Sequence, residues 1–484
     1  MFSIKNTFVD RKSWVNTRSS TIFPVYINNN NDQILVFQNY WKWKSNILNI
    51  NFILTLRDQN SKIINQLKYK VKNHNEISIK KYFKIKKNFI GQIECEIESN
   101  KNLKFPYPAL LLFYKNKNGF ESVVHSAGRH LNSNEKIKSA YSESNFYAIF
   151  NSIFTSFVHI FSGKKINLRK NFIKVKIYDE KNKLLINKKI KNLFTKPYSS
   201  KILFIENYLN KSELKKVFEK KIYIKFNFDI NNIFGRLIVG NYDKKNDAFF
   251  VTHTFRTHTS KNKNLIFPSK KYNSTGYLPL MNCKPLNLVA KSYPTNAPCE
   301  TKYSNINILE KKVTKNNQSI ISGGKKSKIY EIAQSGNSFN VIEFKKSIPD
   351  RFNVEFNYSL HNSRHPTDIA DGVKTCYQPK KMNHWGHGIS KNNYETFIFI
   401  ANYSNDLNDK KSEKIKLTLF SNSKKIQKEI NIPYSSYRVV KLKNLKKKIN
   451  SDYFSWYVSA KKVNLNIYWV SFKRTGSICG DHAF

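Results

Sequence analysis

Five of the chain's 11 histidines, His361, His365, His384, His387 and His482, lie at or beyond residue 361, and carboxylates accompany them. One segment runs His361-Asn-Ser-Arg-His-Pro-Thr-Asp-Ile-Ala-Asp371, a second Asn383-His-Trp-Gly-His-Gly388, and the last Cys479-Gly-Asp-His-Ala-Phe484. Imidazole and carboxylate are the ligands that hold zinc or non-haem iron. His384, His387, His482 and Asp481 are therefore the candidate metal ligands, with Asp368, Asp371 or Asp481 as a further ligand or general base. The spacings match no established metal motif. The competing reading makes these hydrogen-bonded loop residues, with His384 and His387 orienting a glycine-rich turn around Trp385. On that reading no cofactor is expected, and a divalent metal is the alternative.

Arginine gives a second pattern, because a guanidinium kept in so lysine-rich a chain serves geometry that an ammonium cannot. Val123-Val-His-Ser-Ala-Gly-Arg129, Val251-Thr-His-Thr-Phe-Arg256 and Trp469-Val-Ser-Phe-Lys-Arg474 each run from a hydrophobic strand into an arginine. Arg129, Arg256 and Arg474 are candidates for binding carboxylate or phosphate, or for ion pairs internal to a repeat. Trp41 and Trp43, alternating with lysines in Asn39-Tyr-Trp-Lys-Trp-Lys44, read as one face of a strand that either stacks on sugars or bases or packs into the core.

Signatures of common chemistries are absent: no phosphate-binding loop, no dinucleotide fingerprint, no HExxH, GxSxG or CxxC. The formal charge of +51, from 84 basic and 33 acidic residues, attracts polyanions, although the abundance of Lys, Asn and Ile also fits A/T-rich coding. No nucleic-acid-binding motif accompanies the charge. The expected function is a non-catalytic binding or structural protein that engages a glycan or other anionic polymer. The alternative is a metal-dependent enzyme with a His/Asp site in the last unit.

The elements that must position these residues read as strands. Short runs alternate apolar with polar residues between Asn, Asp, Ser, Gly and Lys turns, which predicts β-structure with little helix. One helix is expected in Asn210 to Lys220, with Ser212 as its cap. Leu54-Thr-Leu-Arg-Asp-Gln-Asn-Ser-Lys-Ile63, Val175-Lys-Ile-Tyr-Asp-Glu-Lys-Asn-Lys-Leu184 and Leu417-Thr-Leu-Phe-Ser-Asn-Ser-Lys-Lys-Ile426 repeat one strand-turn-strand pattern. Asn39-Tyr40 and Asn402-Tyr403 each stand fifteen residues before their hairpin, and Pro-Tyr-Ser-Ser recurs at Pro197 and Pro433.

The fold class expected is all-β: tandem antiparallel β-sandwich units, immunoglobulin-like or related, with three copies detectable. They span 20–130, 145–258 and 346–484, with an N-terminal segment 1–19 and an irregular Pro/Gly/Ser-rich connecting segment 259–345. No apolar run reaches the roughly 20 residues that span a bilayer. Five scattered cysteines (Cys95, Cys283, Cys299, Cys376, Cys479) fit reduced thiols, and the expected location is cytoplasmic.

Overall fold

The computed structural model describes residues 19–99, 110–125, 129–130, 141–162, 166–229, 237–257, 265–266, 276–292, 303–307, 314–316, 330–344, 348–349, 353–363, 365–372, 374–375, 382–403, 411–421, 424–463 and 465–484. The chain is all-β and antiparallel with little helix, built from a repeated pair of sheets. In the first unit one sheet orders Ile63–Lys70, Ile50–Asp58, Phe89–Ser99, Ser19–Ile27 and Arg129–His130. Its partner sheet orders His74–Ser78, Asn31–Gln38, Leu110–Asn116 and Glu121–His125.

The same strand order recurs in three further sheet pairs, spanning Tyr141–Thr257, Gly276–Thr375 and Met382–His482. Among the described residues the last has no counterpart of the short fifth strand of the first sheet. Chain connectivity thus repeats four times. The stretch 259–345 differs from its expected irregularity. It supplies strands Gly276–Asn282, Asn287–Ser292, Tyr330–Gln334 and Ser338–Phe344, which pair with one another and with Asn353–Ser359. These strands are short and separated by polar stretches, so their alternation does not stand out in the sequence.

The three hairpins recognised from sequence all form: Leu54 lies opposite Leu67 and Val175 opposite Lys188, each with a bulge beside its turn, whereas Leu417 lies opposite Lys428 in an unbulged, tighter hairpin. Asp58 Oδ1 accepts from the amides of Asn60 and Lys62, both at 2.9 Å, while Asp179 Oδ1 accepts from Lys181 at 3.0 Å and Lys183 at 2.8 Å. Carboxylate-closed turns of this kind fix the register of the strands they join.

Two local elements differ from expectation. Tyr40–Ser45 is a short helix, not a strand, because the Asn39 side chain accepts the Lys42 amide and caps it. The expected strand at Trp41 and Trp43 is therefore not formed. Trp41 is buried against Phe52, and the Trp43 side chain lies outside the described residues. The helix expected in 210–220 forms as Lys211–Val217, capped by Asn210 and not by Ser212, with Glu213 completing a reciprocal capping box.

Apolar cores fill the spaces between sheets. The second unit has its own core, including Val158, Ile160, Ile173, Val175, Ile224 and Phe226. The first and fourth units share one, joining Phe37, Phe52 and Leu112 to Ile398, Trp456 and Trp469. The other face of the fourth unit's second sheet, with Phe397, Phe399, Tyr468 and Val470, enters the core of the third unit. That sheet is apolar on both faces, which explains the unbroken run Phe397-Ile-Phe-Ile-Ala401. Among the described residues no helix is long and apolar enough to cross a membrane.

Candidate metal centre

Each unit's second sheet ends in a strand that, among the described residues, has a backbone partner on only one side: Glu121–His125, Ala248–His253, Thr367–Gly372 and Ser477–His482. Such edges are usually blunted by charge or covered. Here the four edges cover one another in a closed ring. Ser122 Oγ donates to the Phe249 carbonyl at 2.6 Å, joining the first to the second. Phe250 stacks on His365 at 4.4 Å, joining the second unit to the third. Asn362 Nδ2 donates to the Arg474 carbonyl at 2.7 Å, joining third to fourth. The Glu121 amide donates to Ser477 Oγ at 3.1 Å and closes the ring.

Three of these strands finish in histidine, and the ring brings the three ends together. His125, His253 and His482 each present a ring nitrogen within 4.8 Å of the other two. The His125 ring lies 4.3 Å from that of His253 and 4.7 Å from that of His482, centroid to centroid, edge-to-face in both cases. His125, His253 and Asp481 are buried, whereas the His482 side chain keeps 18% of its surface exposed.

The Nδ1 atoms are all engaged on the protein side. His125 Nδ1 lies 2.7 Å from Asp481 Oδ2, His253 Nδ1 lies 3.4 Å from the Thr254 carbonyl and His482 Nδ1 lies 2.8 Å from the Ala483 carbonyl. A carboxylate or carbonyl on one nitrogen sets the tautomer that turns the other toward a metal. Nε2 is then the atom each ring would present. Asp481 is itself fixed, since its Oδ1 accepts the His482 amide at 2.8 Å. Tetrahedral coordination at zinc-to-nitrogen distances of about 2.0–2.1 Å places donor atoms about 3.3 Å apart, so closing onto an ion needs inward rotations of little more than an ångström. Three protein ligands leave one position for water or substrate, the pattern of catalytic rather than structural zinc.

This cluster overturns the expectation of a non-catalytic protein. Three convergent imidazoles with a carboxylate behind one of them form a set able to hold a divalent metal and expose it to a fourth ligand.

The sequence candidates divide accordingly. His482 belongs to the cluster, and Asp481 orients His125. His384 and His387 do not join it: both are buried on strand Met382–Ile389. His387 Nδ1 lies 2.9 Å from Ser455 Oγ, which lies 2.7 Å from His74 Nδ1, and His74 Nε2 lies 3.0 Å from Glu76 Oε1. That chain of contacts ties the fourth unit to the first, and burial holds His387 well below the usual imidazole range.

Arg129 and Arg256 sit at matching places, on short strands paired with Ser20 and Ser144, although their side chains lie outside the described residues. Arg474 is not their equivalent. It stands in the turn before Ser477–His482, and its Nε pairs with Glu395 Oε1 at 3.2 Å on the surface. Asp368 accepts a hydrogen bond from Asn357, and burial raises its carboxyl group well above the usual range. His361 is exposed in a turn, and the Asp371 side chain lies outside the described residues.

His125 and His253 were not among the sequence candidates. They stand in the very segments that drew attention to arginine, Val124-His125-Ser126 and Thr252-His253-Thr254. Aligning the segments on the strand end would have matched both to Asp481-His482-Ala483. Comparison of the chain with protein families and with curated proteins finds no match.

Proposed function

We propose that the protein is a metal-dependent enzyme in which His125, His253 and His482 hold one divalent transition metal, zinc by preference. The convergence of three imidazoles from three units carries this reading. An all-nitrogen, three-ligand set suits zinc and its first-row neighbours and leaves an exchangeable position. An ion held by these three imidazoles would supply Lewis-acid activation of water and of a polar bond, the chemistry of hydrolysis.

Asp481 fixes the orientation of His125 through its 2.7 Å contact with Nδ1. The net charge of +51 favours an anionic substrate, because a positive field concentrates anions at the protein. The glycan or polyanion expected from composition enters this proposal as a substrate class rather than as a ligand of an inert scaffold.

Elemental analysis and zinc titration of the purified chain test the reading. One metal per chain is expected, together with chelator-sensitive hydrolysis of an activated phosphate or carboxylate ester. Absence of stoichiometric metal after zinc titration, with thermal unfolding unchanged by chelator, would sink it.

A further inference from the structure

We infer that Phe484 is the gate of the metal centre, the side chain that must swing aside for an ion or substrate to reach the histidines. The inference rests on the metal reading above. Access is one-sided: His125 and His253 are buried, and only His482 keeps appreciable contact with solvent. The half-buried Phe484 ring stands edge-on to His125 at 4.5 Å and tilted toward His482 at 4.7 Å. It covers two of the three imidazoles at once.

Backbone hydrogen bonds and a stacked indole hold the ring in place. The Phe484 amide donates to the Trp385 carbonyl at 3.0 Å and its carbonyl accepts the Trp385 amide at 3.1 Å. Its ring stacks on the Trp385 indole at 4.5 Å with planes 20° apart, and the Ala483 amide donates to the Ile467 carbonyl at 2.8 Å. Phe484 is half-buried, whereas the strand Ser477–His482 before it is paired and enclosed through Asp481. Because Phe484 lies beyond the paired residues Ser477–His482, its side chain can rotate away without unpairing that strand. When closed, the phenyl ring keeps water off the histidines and lowers the local dielectric constant, which strengthens every charge interaction at the metal.

A gate and a support respond differently to truncation. The gate slows entry and exit alike, so removing it raises both rates and leaves the equilibrium nearly unchanged. A support stabilises only the bound state, so removing it raises the off-rate and weakens affinity.

The experiment follows cobalt uptake by its visible spectrum and zinc loss to excess chelator by a colorimetric indicator, in the full chain and in Phe484→Ala and Phe484→Tyr. In Phe484→Ala both rates are expected to rise about tenfold, the scale of losing edge-to-face and stacked ring contacts, with affinity within about threefold. Phe484→Tyr restores the slow rates. Unchanged rates in an alanine variant that still takes up one metal would overturn the gate, as would a faster off-rate matched by an equal loss of affinity. A wild-type chain that binds no metal removes the metal reading itself, a result distinct from both.

Discussion

Each unit has two kinds of edge strand, and they have met opposite fates. The outer edges Ile63–Lys70, Leu184–Lys191 and Lys425–Ile432 are largely exposed and rich in lysine. The inner edges Glu121–His125, Ala248–His253 and Ser477–His482 are buried almost throughout. A bare edge is a template for unwanted pairing, and lysine prevents it outside as mutual burial does at the junction. Charge therefore marks where the repeat faces water, while the residues able to do chemistry collect where copies of one strand face each other. The most conspicuous number in the composition belongs to the outer region, and the candidate site belongs to the inner one.

The largest effect is expected from His253→Ala, which removes an imidazole from the inner edge. Metal stoichiometry should collapse by elemental analysis, with affinity lost beyond the ~10–100-fold typical of removing a ligand's hydrogen-bond partner. Retained stoichiometric metal would mean that the inner edges are only packed, not functional.

Next in size is a pH effect on the inner packing. Burial pushes His159 down to about 3 and His365 to about 4, where His365 lies between Phe154 and Phe250. Both pKa values are depressed on folding, so the unfolded chain binds more protons below its own value of about 6.5. Their stabilising contribution is present above that pH and is lost as pH falls toward 4 and then 3. For His365 alone the loss is about 3 kcal/mol across this window. Urea unfolding at pH 7 and pH 4.5 measures it, and His365→Phe should flatten the dependence.

Asp481→Asn sharpens the inner site more finely. The neutral amide keeps the shape but no longer fixes the His125 tautomer, and metal affinity should fall about 10–100-fold in a calorimetric titration. The smallest effect is expected outside. Glu429→Gln breaks the exposed Lys414–Glu429 pair on an outer edge, and neither metal stoichiometry nor the unfolding midpoint should move measurably.

What the sequence discloses follows from how local the information is. Hairpins are legible because a turn and the strand ends beside it are contiguous in the chain, so Leu54, Val175 and Leu417 align on sight. The third unit is less legible, since its strands are separated by long polar stretches and its closing strands Asn353–Ser359 and Thr367–Gly372 read as the start of the next unit. Histidine clustering along the chain pointed to His384 and His387, which serve an interface. The centre itself takes one histidine from each of three units, separated by more than a hundred residues, and no local spacing records that. Asp481 and His482 were recognisable because they are adjacent; His125 and His253 needed the repeat to be carried through to its last strand.

Because the three imidazoles arrive on separate units, occupancy of the centre works as a logical conjunction. A single unit offers one monodentate ligand, and strong chelation arises only from the high effective concentration that docking imposes on the other two. Linkage then runs both ways: an ion that favours the docked arrangement raises the free energy of separating the first, second and fourth units by as much as their separation weakens its binding. The metal would act as a rivet as well as a reagent, and loosening any one of these units, even far from the histidines, should appear as metal loss before it appears as unfolding.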